Sequence, residues 1–248
     1  MKRLFWILAV AGLLSLCWQL NIIANTPQKI MPASQSMDIK DFVRQTFIHG
    51  VPYEEANKYG SDVVPTLLEM LADNAEQAWW SNIVVTALII GDDNAVDSVL
   101  DFINKEEQGE LSVSHYTAKT SALMALGYAV NKNGNKKALE YLKSCIYPSY
   151  WEEKKLSWTS PFQASRADLS VQMSTQAVLG LALSGDKDAA TALRSLQEPS
   201  AATTEVDKQF QAQVGSLVSE ALNTLDIISK DGITEYYEKS KLDVSQKE

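Results

Sequence analysis

The chain has 248 residues, of which 46% are hydrophobic and 21% charged, a composition typical of globular proteins with a sizeable core. Its 31 acidic and 22 basic side chains give a formal net charge of −9. This balance disfavours binding to nucleic acid or to an anionic membrane surface, because both depend on lysine and arginine patches. Two cysteines and two histidines offer little material for disulfides or metal sites.

The first 24 residues predict export. Lys2 and Arg3 precede an uncharged, mostly apolar run over residues 4–18, which fits a signal peptide. The run is short for a membrane-spanning helix, and an uncleaved anchor over residues 4–24 is the alternative interpretation. We therefore expect a periplasmic or secreted protein, or one held in the inner membrane by this segment alone. Residues 25–36 are predicted to form a polar tether.

A glycine-centred module recurs along the remaining chain. Each copy has Ala or Val four residues after the glycine and Leu or Val eight residues after it, and the glycines are Gly60, Gly91, Gly134 and Gly185. Apolar runs with helical spacing precede the last three copies. Glycine in a left-handed conformation ends a helix, and the following Asp92 or Asp186 is suited to cap the next one. The module therefore predicts pairs of helices.

The module resembles the short HEAT-like repeats named after phycobilisome lyases. The matching stretches are residues 87–92, 125–127 and 180–186, while residues 63–71 resemble the second helix of such a repeat. The resemblance covers residues 37–239 and implies an all-α fold, an α-solenoid of about five stacked helix pairs, with a partner-binding surface and usually no catalysis. No residue set for handling bilins is present, so the lyase activity is not carried over.

The spacing of apolar residues and helix caps predicts the individual elements. We expect helices at about residues 37–48, 53–58, 61–72, 76–90, 94–104, 115–131, 136–146, 168–184, 187–197, 207–229 and 231–239. No strand is predicted, and residues 240–248 are expected to form a frayed tail.

Few side chains point to catalysis. Cys145 follows an amphipathic helix and is expected to be a small buried hydrophobe. His49 and His115 lack further ligands at metal-binding spacing, so we expect structural roles for both. The acidic corners at Asp92 and Asp186 lack a calcium-binding loop with a closing Glu, which favours helix capping. The sequence thus predicts a non-enzyme without a metal ion or small-molecule cofactor.

One connection, over residues 147–167, is longer than the usual connections in such repeats. It combines aromatic side chains with nearby cations, a composition typical of binding hot spots. The candidate binding residues are Tyr147, Tyr150, Trp151, Trp158, Phe162 and Arg166. The same aromatic side chains could instead fold back and pack on the core, and the sequence leaves both interpretations open.

These features predict an interaction scaffold that binds a protein or peptide through its concave face, the aromatic insert or both. The acidic surplus favours a partner of basic character, because charge attraction speeds encounter. One alternative is a cell-wall glycan-binding module in which the aromatic insert stacks on sugar rings. Glu152 and Glu153 are adjacent, which does not suit a facing acid–base pair. Another alternative is an accessory factor of an envelope enzyme complex.

Overall fold

The computed structural model describes residues 37–105, 110–158, 165–198 and 201–245. The regular elements of these residues are helices apart from one pair of two-residue strands, which confirms the all-α prediction. The predicted signal peptide or anchor and the tether lie outside the described residues. Within the described ranges, no helix combines the length and the apolarity that a membrane crossing requires.

The elements are short at the beginning of the described chain and longer in its middle. The helices are α1 (Ile39–Val43), α2 (Tyr53–Ala56), α3 (Val64–Ala72), α4 (Trp80–Ile90), α5 (Asp93–Asn104), α6 (Val113–Asn133), α7 (Lys136–Ser144), α8 (Pro148–Glu153), α9 (Arg166–Ser184), α10 (Lys187–Ser195), α11 (Glu205–Gln213), α12 (Gly215–Asp231) and α13 (Ile233–Ser245). The strands β1 (Glu110–Leu111) and β2 (Ser157–Trp158) pair in parallel, and 3-10 turns at Ser61–Val63 and Asn74–Trp79 lead into α3 and α4.

The corners between paired helices are built as glycine–cap units. The helices α4, α6 and α9 end at residues with left-handed φ angles of 74°, 68° and 61°, which are Gly91, Gly134 and Gly185. Each following side chain accepts a hydrogen bond from the first turn of the next helix, at 2.8 Å for Asp92, 2.9 Å for Asn135 and 2.7 Å for Asp186. These caps satisfy amides that an isolated helix start leaves unpaired.

Gly60, the first glycine of the sequence pattern, has a different conformation. Its φ is −86°, in the extended region, and it precedes a 3-10 turn without a side-chain cap. Ser61 therefore does not cap the following helix as Asp92 and Asp186 do. The N-terminal unit shares the spacing of the other copies but not the conformation of their corners.

The helices contact one another in chain order within two rows. In the first row α4 contacts α6, α6 contacts α9 and α9 contacts α12. In the second row the shorter helices follow the same order, with α3 on α5, α5 on α7 and α7 on α10. The core lies between these rows and includes Leu88, Leu126 and Leu181, each fully buried. The two central long helices, α6 and α9, thus pack against their own short partners and against the long helices before and after them.

The helices α6 and α9 approach each other most tightly at two glycines. A Cβ atom added at Gly127 would overlap the carbonyl oxygen of Gly180. A Cβ atom added at Gly180 would overlap the carbonyl oxygen of Leu123 and would lie 3.0 Å from the Leu142 side chain. The two backbones are therefore in direct contact, which residues larger than glycine do not permit without separating the helices.

Several elements differ from the predicted pattern. The helix expected over residues 207–229 is interrupted at Val214, because α11 contacts α8 whereas α12 contacts α9. The helix α8 and the β1–β2 pair were not predicted, although Pro148 at the first position of α8 is a residue that often starts a helix. The last helix, α13, extends to Ser245, beyond the predicted start of the frayed tail at residue 240.

The prediction that Cys145 is buried is confirmed, and one of two adjacent tryptophans is also part of the core. Cys145 is completely buried, and burial raises the pKa of its thiol, so the side chain behaves as a small hydrophobe. Of the adjacent tryptophans, Trp80 is 3% exposed while Trp79 is half-buried. Neighbouring positions on a helix point about 100° apart, which places one ring in the core and the other at its edge.

Replacing Gly180 by alanine is expected to lower the free energy of unfolding by about 3 kcal/mol, because the added methyl group forces two backbones apart. Urea denaturation followed by circular dichroism measures this change. Gly215→Ala is the matched control, since a Cβ atom there meets nothing within 4 Å. We expect the control to be neutral or more stable by up to about 1 kcal/mol. Equal stabilities of the two variants would contradict the proposed backbone contact.

Candidate binding surfaces

The first part of the aromatic insert is packed into the fold. The Trp151 side chain is 5% exposed, and its indole N–H donates to the carbonyl oxygen of Cys145 at 2.9 Å. Tyr150 contacts it edge-on, with ring centroids 5.0 Å apart. Trp151 was a candidate binding residue, but the structure places it in the core, because its ring fills the space between α8 and α9. It has no exposed ring face for a partner or a sugar.

A buried carboxylate fixes the start of α8. Asp207, which is 1% exposed, accepts a hydrogen bond from the backbone N–H of Ser149 at 3.0 Å. The acceptor stands where the first amides of a helix have no partner within the helix itself. Tyr147, just before α8, is half-buried, and its hydroxyl lies 3.4 Å from that of Ser195. The beginning of the insert is therefore tied to both α10 and α11.

The remaining insert residues are distributed over other elements. Trp158 lies in β2, where its backbone pairs with Leu111, and Arg166 begins α9. Phe162 lies outside the described residues. Tyr150 is half-buried, and the Lys154 ammonium lies 5.2 Å from its ring centroid. Of the described insert side chains, Tyr147 and Tyr150 are the candidate binding residues with surface left to offer a partner.

A concave surface that does not include the insert lies at the ends of the N-terminal helices. We call it the Trp80 groove, a cavity of about 860 Å³ between the ends of α3 and α5 and the starts of α4 and α6. Its apolar wall combines aliphatic and aromatic side chains, namely Leu68, Leu71, Ala72, Trp80, Phe102 and His115. Its rim is polar and consists of Asn74, Ser98, Asp101, Asn104 and Lys105. The volume lies within the range of small-molecule and peptide-anchor pockets.

Three rings form the deep end of the Trp80 groove. The Trp80 ring lies 4.6 Å from His115 and 5.3 Å from Phe102, centroid to centroid, and meets Phe102 edge-on at 75°. Phe102 and His115 lie 5.8 Å apart at 23°. Ser112 orients the imidazole, since its hydroxyl lies 3.0 Å from Nδ1 and also accepts from the His115 backbone N–H. Phe102 and His115 remain partly exposed, so their outer surfaces are available to a bound molecule.

Trp80 also carries a buried hydrogen-bond donor. The indole N–H of Trp80 is buried and has no hydrogen-bond partner among the described residues. A buried donor left without an acceptor costs about 1–3 kcal/mol. The end of α5 is held in place, because the buried Lys119 ammonium donates to the carbonyl oxygen of Ile103.

Sequence reasoning did not identify this groove. Its residues span positions 68 to 115 and come from four helices and their connections. His115 was expected to have a structural role, and its contact with Trp80 fits that expectation while also placing it on the groove wall. The available signal was the Trp79–Trp80 pair together with Phe102, which lies on the partly exposed side of an amphipathic helix. Only the packing of the helix ends brings them together.

A second cavity, of about 440 Å³, lies at the glycine corners. Its lysine, Lys132, donates to Asn57 Oδ1 at 2.9 Å and to the carbonyl oxygen of Ile89 at 3.3 Å, and burial lowers its pKa. Asn133 donates to the carbonyl oxygen of Gly91 at 2.5 Å. These bonds satisfy the carbonyl groups that helix α4 leaves unpaired at its C-terminus. The polar side chains of this cavity therefore have a structural role in the corner at Gly91.

Among the described residues, no group of three or more His, Cys, Asp and Glu side chains could hold a metal ion. Comparisons of the chain with protein-family models, curated proteins and solved structures gave no match.

Replacing Trp151 by alanine is expected to destabilise the protein by about 3–5 kcal/mol, because the variant loses a buried ring and leaves a cavity. Thermal unfolding followed by circular dichroism provides the measurement. Glu153→Ala, on the same helix but exposed, is the control and is expected to change the unfolding free energy by about 0.5 kcal/mol or less. A Trp151→Ala variant as stable as the parent would mean that the ring is not part of the core.

Proposed function

We propose that this protein is a non-enzymatic interaction scaffold, an α-solenoid of about five stacked helix pairs of the HEAT type. The contacts of the helices in chain order, within a row of long helices and a row of short ones, support this arrangement. The glycine–cap corners at Gly91, Gly134 and Gly185 support the interpretation of each unit as a helix pair. Such stacks act by presenting an extended surface to a partner.

The observation that carries the proposal is the Trp80 groove, where an apolar wall and a polar rim occur together. The partner is a peptide segment or a protein surface that inserts an apolar side chain between Phe102 and Leu68. Aromatic pockets of this kind bind the anchor residues that carry most of an interface's affinity.

Charge supports a partner of basic character. The chain carries a formal net charge of −9, and Asp101 is exposed on the groove rim beside Lys105. A positively charged segment would be attracted over several ångströms before contact, which raises the association rate. We place the encounter outside the cytoplasm, on the basis of the basic and apolar start of the sequence.

Photo-cross-linking tests the proposal at the groove itself. A photoreactive phenylalanine analogue is placed at Phe102 in the full-length chain, and at Glu220 on the exposed side of α12 as a control. We expect a discrete protein adduct from position 102 and none from position 220, because only the first lies on the groove wall.

Charge reversal then tests the basic character of the partner. Asp101→Lys on the rim is expected to lower the adduct yield at position 102 at least about tenfold, equivalent to about 1.4 kcal/mol. Glu220→Lys introduces the same charge change on another helix and is expected to leave the yield unchanged. Equal adduct yields at positions 102 and 220, or a yield at position 102 that Asp101→Lys leaves unchanged, would contradict the groove as the binding site.

A further inference from the structure

The last helix contacts the first part of the chain through tyrosine side chains. The Tyr237 ring of α13 stacks on Tyr53 of α2, with centroids 5.5 Å apart and an angle of 24° between the rings. Tyr128 of α6 completes the group, with its ring 5.4 Å from Tyr53 and its hydroxyl 2.5 Å from that of Tyr237. We call Tyr53 and Tyr128 the tyrosine face. Residues 184 positions apart in sequence thus meet in one aromatic cluster.

The tyrosine face owes part of its burial to α13. Tyr128 is only 5% exposed, and Tyr53 is half-buried. The Tyr237 ring stacks on Tyr53, and its hydroxyl meets that of Tyr128. Without α13, Tyr53 would lose a stacking partner and the Tyr128 hydroxyl a hydrogen-bond partner. Exposed tyrosine pairs are typical of protein interfaces, because the ring is apolar and the hydroxyl finds a polar partner.

The described side chains of α13, residues 233–239, contact the body along one side of the helix. Its described side chains that face the body are Ile233, Tyr236 and Tyr237, while Thr234, Glu235, Glu238 and Lys239 are exposed. Lys239 forms ion pairs with Asp231 at 2.9 Å and with Glu235 at 3.5 Å, but all three side chains are largely exposed. Exposed ion pairs contribute little to stability. Among the described side chains of α13, the tyrosines join the helix to α2 and α6, while its start also contacts α12.

A glycine joins α13 to the rest of the fold. Gly232 has a φ of 89° and a ψ of 159°, a conformation that other residues rarely adopt, and a Cβ atom there would meet nothing within 4 Å. The space beside its α-carbon is therefore open. A glycine between two helices is suited to act as a hinge, because its backbone angles are less restricted than those of other residues.

We propose that α13 is a displaceable strap that closes over the tyrosine face. The strap pivots at Gly232 and is held shut by the stacking of Tyr237 on Tyr53 and by its hydrogen bond with Tyr128. Segments with few buried contacts open locally at a lower free-energy cost than the whole fold. His115 and Tyr128 lie thirteen positions apart on α6, which is about 20 Å along the helix. The strap and the Trp80 groove are therefore separate sites, and the strap proposal does not depend on whether the groove binds a partner.

Hydroxyl-radical footprinting of the full-length chain tests the strap. Tyr237→Ala removes both of its holding contacts, whereas Glu238→Ala alters an exposed neighbour on the same helix. We expect Tyr237→Ala to raise the oxidation rates of Tyr53 and Tyr128 several-fold. Tyr116, a buried tyrosine that bonds Gln172 on α9, serves as the internal reference and is expected to keep its rate. Glu238→Ala is expected to leave all three rates unchanged.

Two outcomes would overturn the strap. Unchanged rates at Tyr53 and Tyr128 in Tyr237→Ala would mean that α13 does not cover them. A parallel rise at Tyr116 would mean that α13 is part of the cooperative core, because the whole fold would then have loosened.

Hydrogen exchange in the unmodified protein gives a second measurement that does not depend on a variant. Amides of residues 237–239 are expected to exchange faster than the amides in the middle of α12. Equal protection of the two helices would show that α13 opens only when the body unfolds, which would also overturn the strap.

Discussion

The contact between the backbones of α6 and α9 is the constraint on which the rest of the structure depends. Gly127 and Gly180 let the two longest helices touch without intervening side chains. Because α6 also contacts α4 and α9 also contacts α12, this contact sets the middle of the row of long helices. Leu126 and Leu181 flank the two glycines and are fully buried, so apolar side chains surround the backbone contact on the side of the core.

The connections between units form one edge of the molecule and the glycine corners form the other. The strands β1 and β2 pair the connection before α6 with the one before α9. The Trp80 groove opens on this edge, next to the start of α6. Trp151, which belongs to the connection before α9, is buried in the core. The tyrosine face lies toward the opposite edge, near the corner that ends α6 at Gly134. The two edges therefore offer different surfaces, one concave and open and the other covered by α13.

Helix packing buries one of the candidate binding residues from the sequence and brings other aromatic side chains together at the surface. The sequence shows a long connection rich in aromatic residues, but it does not show that Trp151 has a hydrogen-bond acceptor in Cys145 and a cavity to fill. Burial of such a ring is favoured by its large apolar area, and the carbonyl removes the cost of burying its N–H. Conversely, Phe102 and His115 stand apart in sequence and become neighbours only because α5 and the start of α6 converge on Trp80.

Local chemistry was sufficient for the sequence to predict the all-helical class and the corners at Gly91, Gly134 and Gly185, although not the conformation of Gly60. A left-handed glycine followed by a capping side chain satisfies the free carbonyl and amide groups at a helix end, and those contacts involve residues within a few positions of each other. The burial of Cys145 was likewise predicted from the amphipathic helix that precedes it. The tertiary structure alone decided the break at Val214, the packing of α8 and the meeting of Tyr53, Tyr128 and Tyr237. These features depend on which distant surfaces touch, and the helical period of a segment carries no information about the partner that will cover it.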